Sequence, residues 1–128
     1  MSLTRKYLPN DGLLRPPVSE VIEEISAKDA MFAGNFEHYF TVGFSAMRCI
    51  NVAMHAAQLT EFGSILDMPS GYGRVLRILK AYFPKARLTA CDLNGFHVNS
   101  CSYWIILIRN QMQDQLCSTL LYQVSLSE

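Results

Sequence analysis

The spacing of apolar residues along the chain changes its period near Gly63. Before this point the spacing is helical, and apolar residues recur at steps of three and four. It predicts a short helix over residues 18–25, a turn over 27–34 and a longer helix over 35–59, with Gly43 as a candidate break. The apolar stripe of the first helix consists of Val18, Val21, Ile22 and Ile25. The stripe of the longer helix consists of Phe40, Phe44, Met47, Ile50, Met54 and Ala57.

After Gly63 the pattern becomes that of alternating short strands and a helix. A buried strand is predicted over residues 64–68, a glycine-containing turn over 69–73, and a helix over 74–82. A second apolar strand over 87–91 is followed directly by Asp92. This order predicts one βαβ unit, whose two strands should be parallel and whose crossover should be right-handed. The fold class is therefore α/β, with the helices of the first half preceding the unit.

The regular alternation fades after Asn94. Residues 103–108 could form a third strand, and the i, i+4 spacing of Met112, Leu116 and Leu120 indicates a final helix. The parallel sheet is therefore expected to be incomplete. The predicted organisation is an irregular arm over residues 1–17, a helical segment over 18–62 and a partial α/β unit over 63–128, together forming one compact domain.

Composition removes several classes of function from consideration. Lys plus Arg and Asp plus Glu number 11 each, so the net charge is zero and neither nucleic acid nor an anionic membrane is an expected partner. Helix breakers follow the basic start at once, which argues against a signal peptide and makes the cytoplasm the default compartment. The spacing of Cys91, His97 and Cys101 fits no common zinc pattern, so no metal site is predicted.

The turn after the first predicted strand has the features of a nucleoside-binding loop. Gly71 and Gly73 would allow unusual dihedral angles and a close approach of a ligand to the backbone. Asp92 ends the next strand, about 20 residues further on, where an acidic residue accepts hydrogen bonds from ribose hydroxyls. The sequence therefore predicts a ligand site at the carboxyl ends of the two strands.

The surrounding residues discriminate between nucleosides. A nicotinamide-binding loop would have a third glycine where Leu76 stands, and the chain has no P-loop lysine motif. Asp67, four residues before Gly71, would repel a pyrophosphate but suits a cationic ligand. S-adenosylmethionine carries a sulfonium and an ammonium group, so this charge favours it over a dinucleotide.

Residues 65–73, Ile-Leu-Asp-Met-Pro-Ser-Gly-Tyr-Gly, resemble the first motif of class I (Rossmann-like) S-adenosylmethionine-dependent methyltransferases. Asp67, Gly71 and Gly73 match that motif, whereas Pro69 replaces its first glycine. Residues 90–93, Ala-Cys-Asp-Leu, resemble the second motif of the family. The resemblance covers residues 64–94 and identifies the chain with the N-terminal, cofactor-binding half of such an enzyme.

The resemblance implies a role for each residue of the candidate site. Asp92 would hold the ribose hydroxyls, Leu93 would pack on the adenine, and Asp67 would engage the amino end of the cofactor. The methionine portion would lie along the loop of Pro69, Ser70, Gly71, Tyr72 and Gly73.

Several alternatives to these roles stay open. Asp67 could instead cap local N–H groups, and Tyr72 could cover the ligand or lie on the surface. Arg74 could reach a ligand carboxylate or be an exposed arginine. Tyr39, Phe40 and Gly43 could form a lid or belong to the core. The three histidines are assigned to the surface or the core.

Three functions are compatible with these patterns. The first is an S-adenosylmethionine-dependent methyltransferase, which could be a truncated form. Its methyl acceptor and its catalytic residues are unknown. The second is a non-catalytic remnant that binds the cofactor or self-associates through an open sheet edge. The third, a nucleotide-binding oxidoreductase fragment, is disfavoured by the missing third glycine.

Overall fold

A computed structural model describes residues 6–95, His97 and the backbone of residues 122–126. Two helices and three strands are formed within these residues. They are α1 (Phe36–Ala56), β1 (Ser64–Asp67), α2 (Leu76–Tyr82), β2 (Arg87–Asp92) and β3 (Tyr122–Leu126). The predicted strand over 103–108 and the predicted helix through Met112 and Leu120 lie outside the described residues.

Helix α1 forms where its apolar stripe predicts it and has a conventional amino-terminal cap. The side chain of Asn35 accepts a hydrogen bond of 2.9 Å from the His38 backbone N–H, which satisfies a free donor of the first turn. The predicted break at Gly43 is absent, because the helix continues through it. A Cβ at this position would lie 2.9 Å from Ile78 Cγ1 and 3.2 Å from the Arg74 carbonyl oxygen. Gly43 therefore allows close packing against the α2 region rather than interrupting α1.

The predicted βαβ arrangement is confirmed in its coarse features. β1 and β2 pair in parallel, with Ser64 opposite Arg87 and Asp67 opposite Ala90. Helix α2 connects them and is buried along much of its length, including Leu76, Ile78 and Leu79. Burial of this helix against the sheet and α1 provides the apolar stabilisation of the unit.

The sheet is mixed rather than wholly parallel. β3 pairs with β2 in the antiparallel direction, and the strand order within the described residues is β1-β2-β3. β2 is therefore the central strand, whereas β1 lies at an edge of this sheet. The expectation of a parallel sheet is thus wrong for β3, a strand that the sequence did not predict, and no local pattern indicates the direction in which a strand pairs with a distant neighbour.

The predicted helix over residues 18–25 is also wrong, since these residues contain no helix. The backbone N–H groups of Val18 and Ser19 both donate to the Ala81 carbonyl oxygen at 3.0 Å. The Arg77 guanidinium donates to the carbonyl oxygens of Ile22 and Glu24, at 3.0 and 2.7 Å. These hydrogen bonds hold the segment against α2, so tertiary contacts override the local spacing.

The described part of the chain includes no helix that combines the length and the apolar character needed to cross a bilayer.

Candidate functional site

The candidate site lies at the carboxyl ends of β1 and β2, around the loop that leads into α2. The Ser70 N–H donates to the Cys91 carbonyl oxygen at 2.9 Å, which attaches this loop to β2. The Gly73 N–H donates to the Ser70 carbonyl oxygen at 2.9 Å and closes a turn. We call residues 68–75 the glycine loop.

Both glycines of the motif adopt backbone angles that other residues rarely reach. Gly71 has a φ of +53° and Gly73 a φ of +82°. A Cβ at Gly71 would lie 3.7 Å from Met31 Cε, which is an ordinary contact. The need for glycine at this position is therefore conformational rather than steric. The Met68–Pro69 peptide bond, where Pro69 stands in place of the motif's first glycine, is cis.

Asp92 is buried at the end of β2 and its carboxylate joins three segments. Its Oδ2 accepts from the Gly71 N–H at 2.9 Å, and its Oδ1 accepts from the Asn94 N–H at 2.9 Å. His97 Nδ1 lies 3.3 Å from the same Oδ1. Burial acts to raise the pKa of Asp92, but the hydrogen bonds from Asn94 and Gly71 and the neighbouring His97 outweigh it and lower the pKa below its ordinary value.

Asp67, at the end of β1, has the opposite environment. Its Oδ2 is fully buried and forms no hydrogen bond to any described residue, so it does not cap a local N–H group. Burial, assisted by the negative charge of Asp92, raises the pKa of Asp67 to about 6. The negative charge of Asp92 is therefore near enough to contribute to this shift, and the two residues end adjacent parallel strands.

Unpaired buried polar atoms are concentrated in this part of the molecule. Among the described residues, three buried side-chain atoms have no hydrogen-bond partner: Asp67 Oδ2, Ser70 Oγ and Arg74 Nε. Such atoms are uncommon because each one costs about 1–3 kcal/mol when it is left unsatisfied. All three belong to the strand tip and the glycine loop, which places an acceptor, a hydroxyl and a cationic donor around one site.

Arg74 is only half-buried, but it is not the exposed arginine that the sequence left as an alternative. Its guanidinium lies 5.8 Å from the centre of the Tyr39 ring. The hydroxyl of Tyr39 donates to Asp29 Oδ2 at 2.7 Å. Burial is the main cause that raises the pKa of Tyr39, and it outweighs the opposite effect of the nearby Arg77. The Tyr39 ring is therefore neutral and held in place, and the Arg74 guanidinium lies over it.

Arg77 holds the glycine loop in place through hydrogen bonds, a role that the sequence did not predict. Its Nε donates to the Gly73 carbonyl oxygen at 3.2 Å, while other guanidinium atoms reach Tyr72 O at 3.5 Å and the carbonyl groups of Ile22 and Glu24. The side chain is 5% exposed. The sequence carries no signal for this burial, because Arg74, Arg77 and Lys80 recur at steps of three as the residues of an exposed basic helix face would.

The remaining residues of the predicted site lie around the loop. The Tyr72 ring contacts the His97 ring, with 4.6 Å between their centres. Leu93 is 76% exposed immediately after Asp92. His97, which the sequence assigned to the surface or the core, instead approaches Asp92 and Tyr72. The spacing of five residues between Asp92 and His97 would not by itself have indicated this contact.

Two residues that could have formed a lid belong to the core. Tyr39 and Phe40 are fully buried, in agreement with the core alternative. The segment that does approach the glycine loop is the turn before α1, through Met31. Asp29 stabilises that turn by accepting a hydrogen bond of 3.0 Å from the Met31 N–H.

The described residues hold no group of three or more histidine, cysteine or acidic side chains that could bind a metal ion. Cys91 is buried beside the loop. Comparison of the chain with protein-family models, with curated proteins and with solved structures finds no match. Any functional assignment therefore depends on the residues and geometry of the site.

Proposed function

We propose that this chain binds S-adenosylmethionine as the cofactor-binding part of a Rossmann-like methyltransferase. One observation carries the proposal: Asp67 and Asp92 end adjacent parallel strands beside a glycine loop in which two buried side-chain polar atoms have no hydrogen-bond partner among the described residues. This arrangement provides negative charge, glycines in backbone conformations that other residues rarely adopt, and unsatisfied polar groups at the carboxyl ends of parallel strands.

The residues present fit the charges of the cofactor. A ligand ammonium or sulfonium group near Asp67 would stabilise its carboxylate and reduce the cost of its burial. The unpaired Nε of Arg74 provides a donor suited to the carboxylate of a methionine portion. A pyrophosphate would instead meet the negative charges of both Asp67 and Asp92, which is the reason to prefer a cationic nucleoside over a dinucleotide.

The hydrogen bonds that the Asp92 carboxylate already accepts limit how it would bind a ribose. A carboxylate has about four lone-pair positions, and three donors already approach this one. One further hydroxyl can bind without change, whereas a second requires the His97 contact to open. The backbone N–H of Gly71 and that of Asn94 keep the carboxylate ionised and oriented, which a ribose-binding role needs.

The bound cofactor would supply an electrophilic methyl group, which an acceptor nucleophile attacks as the bond from carbon to sulfur breaks. The chain's own contribution would be to orient the cofactor, since proximity and alignment account for much of the acceleration of such displacements. No catalytic base is assigned among the described residues, and the acceptor is left open.

A second candidate function, cofactor binding without catalysis, is favoured by the exposed apolar side chains beside the site. Leu66 and Met68 are 60% and 57% exposed on and next to the edge strand β1. Within the described residues β1 pairs only with β2, and an apolar sheet edge of this kind can pair with another polypeptide chain. In this case the same ligand would bind, but methyl transfer would require a partner.

Isothermal titration calorimetry with S-adenosylhomocysteine tests the binding common to both candidates. We expect saturable binding with one site per chain, and a loss of affinity of about tenfold or more in Asp92→Ala, because a charge-assisted hydrogen bond is removed. Glu61→Gln is the matched control, since it removes an exposed acidic charge at the opposite end of β1.

Two results would overturn the proposal. One is a folded chain that does not bind S-adenosylhomocysteine, and the other is tighter binding of a nicotinamide dinucleotide. An equal loss of affinity in Glu61→Gln and Asp92→Ala would show that general charge, rather than the site, governs binding.

A further inference from the structure

A cavity lies apart from the glycine loop, between the arm before residue 16 and the carboxyl-terminal half of α1. Its volume is about 760 Å³. This falls within the range of roughly 300–1,000 Å³ typical of small-molecule sites. It shares no lining residue with the glycine loop. A ligand in this cavity would therefore be distinct from the cofactor proposed above.

The cavity has an apolar part. Leu13, Val52 and Leu59 all line it and are each about half exposed or more, at 61%, 69% and 49%. They come from the arm, from α1 and from the segment after α1, so exposed apolar surface from three separate segments converges there. Covering these side chains with an apolar ligand would remove a considerable area from water.

The charged part of the cavity is positive. Arg15 and Arg48 line it, and no aspartate or glutamate from the described residues does. Arg48 is already paired with Asp11 at 2.8 Å, so its charge is largely compensated. Arg15 forms no salt bridge with any residue in the described part of the chain. Arg15 is therefore the cation available to an anionic group.

The walls of the cavity are held in place by hydrogen bonds to the arm. Asn51 Nδ2 donates to the Leu13 carbonyl oxygen at 3.1 Å, and the Tyr82 hydroxyl donates to the Arg15 carbonyl oxygen at 2.7 Å. Leu14, between them, is 5% exposed and belongs to the core. The arm is thus fixed on both sides of Leu14, and a preformed site binds with less loss of conformational entropy.

We propose that this cavity binds a small amphipathic anion, with an apolar body against Leu13, Val52 and Leu59 and a carboxylate or sulfonate at Arg15. The apolar side chains provide most of the buried area, and the guanidinium of Arg15 selects for negative charge. The proposal is independent of the glycine loop.

Two dyes that share an apolar body and differ in charge test the proposal on the full chain. They are 8-anilinonaphthalene-1-sulfonate and its uncharged analogue N-phenyl-1-naphthylamine, each titrated by fluorescence. We expect saturable binding of the sulfonate at one site per chain and weaker binding of the neutral analogue. Arg15→Gln should weaken binding of the sulfonate about tenfold and leave that of the neutral dye unchanged.

Substitution in the apolar wall of the cavity is a second, independent test. Val52→Asp should weaken binding of both dyes, whereas Val18→Asp, the same change at an equally exposed valine outside the cavity, should affect neither. Near-ultraviolet circular dichroism checks that each variant is folded, and Val52→Ser replaces Val52→Asp if that variant is not.

Three results would overturn the proposal: no saturable binding of the sulfonate, equal effects of Arg15→Gln on the two dyes, or equal effects of the two valine substitutions. Saturating S-adenosylhomocysteine should leave the dye affinity unchanged. If it displaces the dye, the dye occupies the glycine-loop site and not this cavity.

Discussion

Two aspartates end neighbouring parallel strands, yet their surroundings are opposite. Asp92 accepts hydrogen bonds from two backbone N–H groups and approaches His97, and its pKa is lowered. Asp67 has a buried oxygen without a partner, and its pKa is raised to about 6. The surroundings of Asp92 in the folded chain thus favour its charged form, whereas burial disfavours the charged form of Asp67, whose Oδ2 has no hydrogen-bond donor among the described residues.

The largest expected effect on the free energy of unfolding concerns Asp92, the aspartate whose hydrogen bonds are satisfied. Asp92→Ala should lower the free energy of unfolding by about 2–3 kcal/mol, because it leaves the buried N–H groups of Gly71 and Asn94 without their acceptor. Urea unfolding followed by circular dichroism measures the change. Asp92→Asn, which retains one acceptor oxygen, should recover part of the loss. Equal stability of wild type and Asp92→Ala would contradict a structural role for this carboxylate.

Asp67→Asn should instead increase the free energy of unfolding. The raised pKa means that the folded state binds more protons than the unfolded state between pH 3.8 and about 6, so wild-type stability should fall as the pH rises through this window. At pH 7 the substitution should increase the free energy of unfolding by about 1–2 kcal/mol, allowing for partial solvation of the group. Unfolding curves at pH 4, 5, 6 and 7 check this.

The same variant separates function from structure. If Asp67 serves a cationic ligand, Asp67→Asn should be more stable than wild type and bind S-adenosylhomocysteine more weakly. A variant that gains stability without losing affinity would make Asp67 a destabilising residue with no role in binding. A stability that is independent of pH between 4 and 6 would contradict the unsatisfied environment of this carboxylate.

A substitution in the loop that separates the aspartates should have an effect similar in size to that of Asp67→Asn but opposite in sign. Gly71→Ala should destabilise the chain by about 1–2 kcal/mol, because alanine at a positive φ is strained although there is room for its methyl group. Gly63→Ala is the matched control, since a Cβ there would meet nothing within 4 Å and the φ is not positive. Chemical denaturation of both variants gives the difference, and equal effects would refute a conformational requirement at Gly71.

The smallest expected change in stability concerns His97. Its contact with Asp92 is long, at 3.3 Å, and partly solvated, so His97→Ala should change the free energy of unfolding by less than about 1 kcal/mol. If His97 occupies a position on Asp92 that a ribose hydroxyl needs, the substitution should leave the affinity for S-adenosylhomocysteine unchanged or increase it. A marked loss of affinity in calorimetry would instead make His97 a ligand-binding residue.

The regular elements that the sequence predicted are those whose signals are local. Helix α1 differs from its predicted span by a residue at its start and three at its end. The strands β1 and β2 and the intervening α2 were also predicted within two residues at each end. Their apolar periods repeat over neighbouring residues, and caps, glycines and prolines mark where each one ends.

The failures share a different cause, which is pairing between residues distant in the chain. Residues 18–25 have helical spacing, but their backbone forms hydrogen bonds with Arg77 and with the Ala81 carbonyl group, which lie more than 50 residues away. β3 was likewise not predicted, and its antiparallel direction follows from its place beside β2. Contacts of this kind leave no periodic trace in a sequence.

The amino-acid sequence by itself determined the βαβ order and the positions of the glycine loop and its two aspartates, because side-chain period and backbone permissiveness are properties of neighbouring residues. Tertiary structure alone decided that Asp92 is satisfied and Asp67 is not, that Arg77 supports the loop and that His97 joins it. Burial and hydrogen bonding depend on which distant groups meet, and two identical carboxyl groups acquire different pKa values only when the folded chain surrounds them differently.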